Sequence, residues 1–367
     1  MQYISIMDFH IKIHQRQNQL IKTNDQPRKL NAFFTEGGGT RGTFAIGILE
    51  YLFEDNPYIK LADIDIFGGT SVGSYLNTAL SLGFQKNDLL DFSKSIDISN
   101  LVDAKYLFML TAARFLRQGY LYNDVGRDSM VRGILNFKFD NIIKHLQLIG
   151  TEVNVIVNVI DNASDLTFGH LRHLIKIYPK IYKHLIINVV DISRNQQIFM
   201  TTLEEKWDAI KLYDAMMASS AIPFVFKSST LYYEAGTDTY TYQATATTTE
   251  NKLIDGGVAT NNPSDYFLIN QDKFADYNLW LLKFTTKPNY VTVNGIMPLL
   301  YRLIDFLIGG QNVQNVTADL MHKIYNINCI NLHSEAGTLT TYTQSEIQQC
   351  ISDIYQKCLK GELFFGN

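Results

Sequence analysis

The sequence predicts an α/β fold in which parallel strands are connected by crossover helices. Within the first 85 residues the same unit occurs twice: a buried strand, a glycine-rich turn and a segment with helical apolar spacing. Two such units in series are typical of a parallel sheet with helices packed against it. The length of 367 residues, 46% of them hydrophobic, suits one large domain that carries insertions.

Composition narrows the class of function. The net charge is −4 and no polybasic run occurs, which argues against nucleic-acid binding. The three cysteines, Cys329, Cys350 and Cys358, form no C-x-x-C pair and no metal-ligand cluster, so we expect reduced thiols. The sequence shows no signal peptide and no run of about 18 apolar residues. We therefore expect an intracellular protein, either cytoplasmic or peripheral on membranes.

The first strand–turn–helix unit begins at residue 30. A buried strand is predicted from Leu30 to Thr35, a glycine-rich turn (EGGGTRG) from Glu36 to Gly42, and a helix from Thr43 to Phe53. Glycines let backbone N–H groups face a ligand, and the helix that follows adds its dipole. The turn has neither the Gly-Lys-Ser/Thr of a Walker loop nor the acidic residue of a dinucleotide site. Oxyanion binding is therefore favoured over a phosphate cradle.

The second unit carries a candidate nucleophile. A strand is predicted from Ala62 to Phe67 and a helix from Tyr75 to Leu82, and residues 69–73 between them (GTSVG) fit the pattern G-x-S-x-G. On a sharp strand-to-helix turn the hydroxyl of Ser71 points out of the sheet, beside the unpaired N–H groups of the helix N-terminus. Ser71 is the candidate nucleophile, and a plain glycine-rich turn is the alternative.

Helices and strands continue to alternate along the rest of the chain. Residues 86–150 are predicted as mostly helical, with helices through Met130 and Leu135 and from Phe139 to Leu148. The further predicted strands are Thr151–Val159, Leu185–Asp191, Gln196–Thr202, Leu279–Thr285 and Ile327–Leu332. The further predicted helices are Trp207–Ser220, Pro298–Leu307, Val316–Tyr325 and Gln344–Leu359, and Thr230–Thr249 is predicted as a surface hairpin.

Asp255 is the candidate partner of Ser71. It ends a short apolar run and precedes two glycines, which places a carboxylate at the end of a strand. Functional sites of α/β proteins commonly lie at the ends of strands. A turn aspartate is the alternative. A histidine base in the order Ser…Asp…His would follow Asp255 in the sequence, and His333, which follows a predicted strand, is the candidate.

Five blocks occur in the order found in patatin-like phospholipases, and the chain resembles that family over roughly residues 30–285. The blocks are EGGGTRG at residues 36–42, GTSVG at 69–73, GYLY at 119–122, ASSAIPFVF at 218–226 and DGG at 255–257. One departure is Glu36, where many members have aspartate. The resemblance implies a three-layer α/β sandwich with a central, mainly parallel sheet.

The family uses a serine–aspartate dyad without histidine. By this resemblance Ser71 would be the nucleophile and Asp255 the general base. Gly38 and Gly39 would donate backbone N–H groups to the oxyanion, and Arg41 would stabilise charge there or bind the lipid phosphate. The implied activity is lipid acyl hydrolysis of the phospholipase A type through an acyl-enzyme. The expected substrate is a phospholipid or other acyl lipid, reached by transient contact with a membrane surface and without a cofactor.

The resemblance also divides the chain into three regions. Residues 1–29 form an N-terminal extension, 30–290 the catalytic domain, and 291–367 a mainly helical C-terminal region packed on the same domain. The apolar stretch Leu101–Leu116 is expected to line an acyl channel or a membrane-facing cap, with a core helix as the alternative. Two other functions stay open: an α/β-hydrolase esterase with a triad of Ser71, an aspartate and His333, and an inactive scaffold that binds lipid.

Overall fold

The structure is a computed structural model that describes most of the chain. The described residues are 10–15, 30–54, 56, 58–95, 115, 117–148, 160, 162–274, 277–285, 293–295, 299, 302–303, 306, 326–333, 342–361 and 364–365. The predicted strand Thr151–Val159 and helix Val316–Tyr325 lie outside these residues. So do most of the predicted helix Pro298–Leu307 and all of Leu101–Leu116 except Phe115.

The described strands form one eleven-stranded sheet. They are β1 (His10–Gln15), β2 (Leu30–Thr35), β3 (Ile66–Thr70), β4 (His184–Asp191), β5 (Gln196–Thr201), β6 (Ser229–Glu234), β7 (Thr239–Thr241), β8 (Thr248–Asp255), β9 (Tyr277–Thr285), β10 (Asn326–His333) and β11 (Phe364–Phe365). The spatial order is β11-β1-β10-β9-β2-β3-β4-β8-β6-β7, and β5 pairs with β4. The five central strands, β10-β9-β2-β3-β4, are parallel, whereas β1, β5, β8, β6 and β7 run antiparallel to neighbours.

Helices cover both faces of this sheet. They are α1 (Ala45–Phe53), α2 (Val72–Ser81), α3 (Lys86–Ser95), α4 (Val125–Phe137), α5 (Phe139–Leu148), α6 (Phe168–Ile177), α7 (Leu212–Ser219), α8 (Asp265–Ile269), α9 (Gln271–Phe274) and α10 (Gln344–Leu359). Successive residues of a strand point to opposite faces, and Phe33 and Phe34 of β2 accordingly lie in two separate apolar cores. The larger core holds α1–α7 and α10, and the smaller one holds α8 and α9. The predicted three-layer α/β sandwich is confirmed, with the parallel pairing concentrated in the centre of a mixed sheet.

Two predicted elements begin four or five residues later in the structure than the sequence predicts. The strand predicted at Ala62–Phe67 is instead a short 3₁₀ turn, Leu61–Asp63, followed by β3. Asp65 ends the turn by accepting the backbone N–H of Asn31 at 2.8 Å. β3 then includes two glycines, which are rare in strands, and that rarity led the prediction to stop too early. The helix predicted from Trp207 begins only at Leu212, because residues 205–207 form a separate 3₁₀ turn.

The helix near the C-terminus has the predicted bounds and packs on α1. A methyl group added to Gly47 of α1 would lie 2.4 Å from the carbonyl oxygen of Ile351 in α10, so the two helices approach closely there. At the C-terminal end of α1, Tyr355 donates its hydroxyl to Glu54 at 2.7 Å. Within the described part of the chain, no helix is both long and apolar enough to span a bilayer.

Candidate active site

Ser71 lies on the sharp turn between β3 and α2. Its backbone has φ 54° and ψ −125°, a left-handed conformation that is unusual for a residue with a side chain. Hydrogen bonds hold the turn in place: Ser74 donates both its N–H (2.9 Å) and its hydroxyl (2.6 Å) to the carbonyl oxygen of Ser71. The N–H of Ser71 donates to Oγ of Ser219 at 2.9 Å, and the Ser219 hydroxyl donates to the carbonyl oxygen of Asn188 at 2.7 Å.

The two glycines that flank this serine are required by close backbone contacts. A methyl group at Gly69 would lie 2.1 Å from the carbonyl oxygen of Gly73. A methyl group at Gly73 would lie 2.2 Å from the carbonyl oxygen of Thr35, the last residue of β2. The pattern G-x-S-x-G therefore lets the end of β2, the end of β3 and the first turn of α2 pack together. That packing is what holds Ser71 in its strained conformation.

The topology brings Asp255 beside this turn. Thr70, the last residue of β3, pairs with Asn188 of β4, and Asp255, the last residue of β8, pairs with the adjacent Val189. Only β4 therefore stands between the two strand ends that carry Ser71 and Asp255. The structure thus brings together the two residues that lie far apart in the sequence.

The carboxyl group of Asp255 is fully buried. Its Oδ1 accepts the backbone N–H of Gly257 at 2.8 Å, whereas Oδ2 has no hydrogen bond of ordinary geometry among the described residues. Burial raises the pKa of Asp255 from an ordinary 3.8 to about 6; the Gly257 N–H, the Ser71 hydroxyl and the Arg127 guanidinium each lower it in part. The Ser71 hydroxyl therefore lies close enough to influence this pKa, in a contact that is not yet a well-aligned hydrogen bond.

The glycine-rich turn after β2 forms the third part of the site. Asn261 clamps the backbone of Gly37: its Oδ1 accepts the Gly37 N–H and its Nδ2 donates to the Gly37 carbonyl, each at 2.8 Å. Arg41 is buried, and its Nε donates to the carbonyl oxygen of Gly38 at 3.0 Å. The N–H groups of Gly38 and Gly39 make no hydrogen bond to another described residue. Both donors are therefore available to a ligand.

The turn and the serine are in contact. β2 and β3 are neighbouring parallel strands, and Thr35 pairs with Gly69, so both turns leave the sheet at the same edge. A methyl group at Gly37 would lie 3.0 Å from Cβ of Ser71. The structure therefore gathers the hydroxyl of Ser71, the carboxyl of Asp255 and a pair of unpaired backbone donors at one sheet edge.

The candidate histidine lies elsewhere. His333 ends β10, which is separated from β3 by β9 and β2. With strands about 4.8 Å apart, three steps across the sheet place it about 14 Å from β3, on the side away from β8. The geometry gives no support to a triad of Ser71, Asp255 and His333. In the described residues, no three His, Cys, Asp or Glu side chains gather as a metal site would require.

Comparison with known proteins identifies the family. A sequence profile described as patatin-like phospholipase matches residues 34–268. This chain belongs to the patatin-like phospholipase family. Over its whole length it is also 46% identical to an uncharacterised protein of Acanthamoeba polyphaga mimivirus, of which the match covers 98%.

Two further relatives are more distant from this patatin-like chain. Patatin-like protein 2 of Oryza sativa subsp. indica is 25% identical over 238 residues, which cover 62% of this chain and 49% of the rice protein. The crystal structure of VipD from Legionella pneumophila has a TM-score of 0.54 at 13% identity, covering 96% of this chain and 70% of VipD. At that identity the likeness to VipD concerns the fold.

Two of the five patatin-like blocks contact each other, and one of them also contacts Asp255. The N–H groups of Leu121 and Tyr122 donate to the carbonyl oxygens of Phe224 and Val225, each at 2.9 Å. The second block also holds the aspartate, because the N–H of Asp255 donates to the carbonyl oxygen of Ala221 at 3.0 Å. The block at residues 218–226 therefore contacts both the backbone of Asp255 and the block at residues 119–122.

Three residues of this patatin-like site were not predicted from the sequence: Asn188, Asn261 and Arg127. Ser219 lies in the predicted block 218–226 but was assigned no role there. Arg127 is a buried cation that donates to the hydroxyl oxygen of Ser220 and to the carbonyl oxygen of Met217, both at 3.0 Å, and pairs with Asp124 at 2.5 Å. Nothing local in the sequence marks its role at the site, because Met217 and Ser220 lie about 90 residues away from it. Asn261 has a visible signal: it follows closely on the DGG block.

Proposed function

We propose that this patatin-like chain hydrolyses carboxylic esters of acyl lipids, as a phospholipase of the A type, through a dyad of Ser71 and Asp255. The observation that carries the proposal is the meeting of a strained serine and a buried, more basic carboxylate beside unpaired backbone donors. Membership of the family supports an acyl lipid as substrate. The contact between the chain and the membrane would then be transient and would last for one encounter with the substrate.

In the first step Ser71 attacks the carbonyl carbon of the ester. As the Oγ–C bond forms, the hydroxyl proton passes to Asp255, whose pKa near 6 makes it a stronger base than an ordinary aspartate. The carbonyl oxygen takes up the negative charge, and the N–H groups of Gly38 and Gly39 would donate to it. The tetrahedral species collapses, the alcohol of the lysolipid leaves with the proton from Asp255, and the acyl group stays on Ser71.

In the second step water completes the cycle. Asp255 takes a proton from the water as its oxygen attacks the acyl carbon, and the proton returns to Oγ of Ser71 when the fatty acid leaves. Arg41 would contribute in either of two ways: its charge would stabilise the oxyanion, or its guanidinium would bind the lipid phosphate. Its hydrogen bond to the Gly38 carbonyl supports a role at the donor turn.

The test measures fatty-acid release and covalent labelling together. Ser71→Ala should fold as the native chain does, lose at least about 10,000-fold in fatty-acid release, and lose labelling by a fluorophosphonate probe. Ser95→Ala, which removes an exposed hydroxyl at the end of α3, is the matched control and should still be labelled. His333→Ala should keep its activity. Equal release by Ser71→Ala and the native chain would reject the proposal, and absence of labelling in the native chain would favour an inactive scaffold.

A further inference from the structure

Phe224 combines two unusual properties. Its backbone φ is +66°, a conformation that a bulky residue adopts only under strain, and its side chain is 48% exposed to solvent. Burial of the ring therefore cannot account for the strained backbone. Such strain persists where the surroundings enforce it, and it concentrates at functional sites.

Hydrogen bonds and a small apolar cluster fix the backbone of Phe224. The carbonyl oxygen of Phe224 accepts the N–H of Leu121, and that of Val225 accepts the N–H of Tyr122. A small apolar cluster, separate from the two main cores, lies beneath: Leu121, Tyr122, Ile222, Val225 and Phe226. Its buried side chains hold the loop while the ring of Phe224 stays at the surface.

This aromatic ring lies at the edge of the candidate active site. Phe224 is three residues from Ala221, whose carbonyl oxygen accepts the N–H of Asp255 at 3.0 Å. Three residues span at most about 11 Å. The backbone of Phe224 therefore lies within about 11 Å of the residue that holds Asp255.

The chemistry around the ring is apolar and basic. Val125, three residues after Tyr122, is 69% exposed. Arg117 follows two residues after Phe115, whose ring lies 6.4 Å from that of Phe224, and Lys227 follows three residues after Phe224. Both cations are exposed, and neither forms an ion pair with another described residue. The nearby carboxylate of Asp124 is already paired with the buried Arg127 at 2.5 Å. An exposed aromatic flanked by unpaired cations is the combination that binds the interface of an anionic bilayer.

We propose that Phe224 and Val125, with Arg117 and Lys227, form a docking surface for a bilayer that carries anionic headgroups. The choice of a lipid surface as the occupant rests on the proposed lipid hydrolase function. The ring inserts among the headgroups, and the cations contact the phosphates or carboxylates beside it. This docking brings the dyad to the layer in which the ester bonds lie.

The test measures binding separately from catalysis, in the Ser71→Ala background. Co-sedimentation uses vesicles of phosphatidylcholine alone and of phosphatidylcholine mixed with phosphatidylserine. Phe224→Ser should weaken partitioning about tenfold, since about half of a phenylalanine side chain is left to bury. Phe224→Gly should weaken it equally and relieve the strain, so a folding defect cannot explain the loss. Lys227→Glu should weaken partitioning to the phosphatidylserine vesicles alone.

Two control positions, Leu359 and Lys360, lie at the C-terminal end of α10. Leu359 has the same exposed fraction as Phe224, 48%, and Lys360 is exposed beside it. Leu359→Ser and Lys360→Glu should bind vesicles as the Ser71→Ala parent does. Phe224→Trp adds a direct probe, because Trp207 and Trp280 are buried: its emission should shift to shorter wavelength with phosphatidylserine vesicles.

The results separate this proposal from the hydrolase proposal. Native partitioning by both Phe224→Ser and Phe224→Gly would overturn the docking surface, as would equal weakening by Leu359→Ser or equal binding of the parent to both vesicle types. Hydrolysis of a soluble short-chain ester by the Phe224 variants, with Ser71 restored, should match that of the native chain. Loss of vesicle binding in a chain that never hydrolyses any ester would support the docking surface and reject the hydrolase.

Discussion

Replacing Asp255 by asparagine should abolish ester hydrolysis and, at neutral pH, make the folded protein more stable. Burial raises the pKa of this carboxyl group from 3.8 to about 6, so the ionised form is disfavoured in the folded state. Each pKa unit corresponds to about 1.4 kcal/mol, so the ionised carboxylate costs the folded state about 3 kcal/mol. Asparagine keeps an oxygen that can accept the Gly257 N–H and carries no charge to desolvate.

The pH dependence has a definite sign. Below about pH 4 the carboxyl group is protonated in both the folded and the unfolded chain, and the substitution should leave the free energy of unfolding nearly unchanged. Between about pH 4 and 6 the unfolded chain loses the proton while the folded chain keeps it, so the stability of the native protein falls. Above about pH 6 the full cost is present. The gain from Asp255→Asn should therefore appear on going from about pH 4 to about pH 8.

Urea unfolding at about pH 4 and about pH 8 measures this difference. The matched control is Asp265→Asn, because burial also raises the pKa of Asp265 to about 6. The hydroxyl of Thr260 and the charge of Lys283 offset part of that rise. Both variants should gain stability at the higher pH, but Asp265→Asn should keep ester hydrolysis of the native order. The activity of the native chain should rise through about pH 6 to a plateau.

Two outcomes would refute this reasoning. If Asp255→Asn gains no more stability at about pH 8 than at about pH 4, the carboxylate is not desolvated as its burial indicates. If the variant hydrolyses esters at the native rate, Asp255 is not the base. A loss of activity in Asp265→Asn as large as that in Asp255→Asn would mean that buried charge near the site matters in general, and that the dyad assignment has no special support.

Three further predictions concern the surroundings of the dyad. Arg127→Met should move the acidic limb of the pH–rate profile to higher pH, because the guanidinium lowers the pKa of Asp255, and Arg127→Lys should restore the native profile. Asn261→Ala removes both hydrogen bonds to Gly37, so steady-state kinetics should show kcat lower by about 10- to 100-fold, with little change in KM. Gly47→Ala should lower the free energy of unfolding by about 1–3 kcal/mol through a clash with α10. Urea unfolding measures this loss, and an unchanged midpoint would contradict that packing.

The sequence carries the fold and the candidate dyad because both depend on local signals. The predicted bounds of β2, α5 and α10 match the structure, and the predicted strands Leu185–Asp191 and Gln196–Thr202 agree with β4 and β5 to within one residue at each end. The G-x-S-x-G pattern marks Ser71 because the close contacts around it admit only glycine at the flanking positions. These constraints act within a few residues, and a single sequence displays them directly.

The supporting residues could not be predicted in the same way. Asn188 joins the site because β4 lies between β3 and β8, and Asn261 joins it across 224 residues of sequence. Arg127 reaches the turn after α7 from a different helix. Each of these contacts is a consequence of strand order and helix packing, which the single sequence leaves open. The end of β3 was missed for a related reason: its pairing with β2 and β4 overrides the low strand propensity of its glycines.

The distribution of backbone strain argues that these supporting contacts serve the site. Among the described residues, four non-glycine residues have positive φ. Asn195 and Asp238 lie in hairpin turns, where asparagine and aspartate tolerate that conformation. Ser71 and Phe224 have no such local reason, and both belong to the blocks that surround Asp255. Strain of this kind persists only where the surroundings enforce it. The hydrogen bonds from Ser74 and Leu121 therefore hold Ser71, the proposed nucleophile, and the backbone of Phe224, the proposed docking residue, in place.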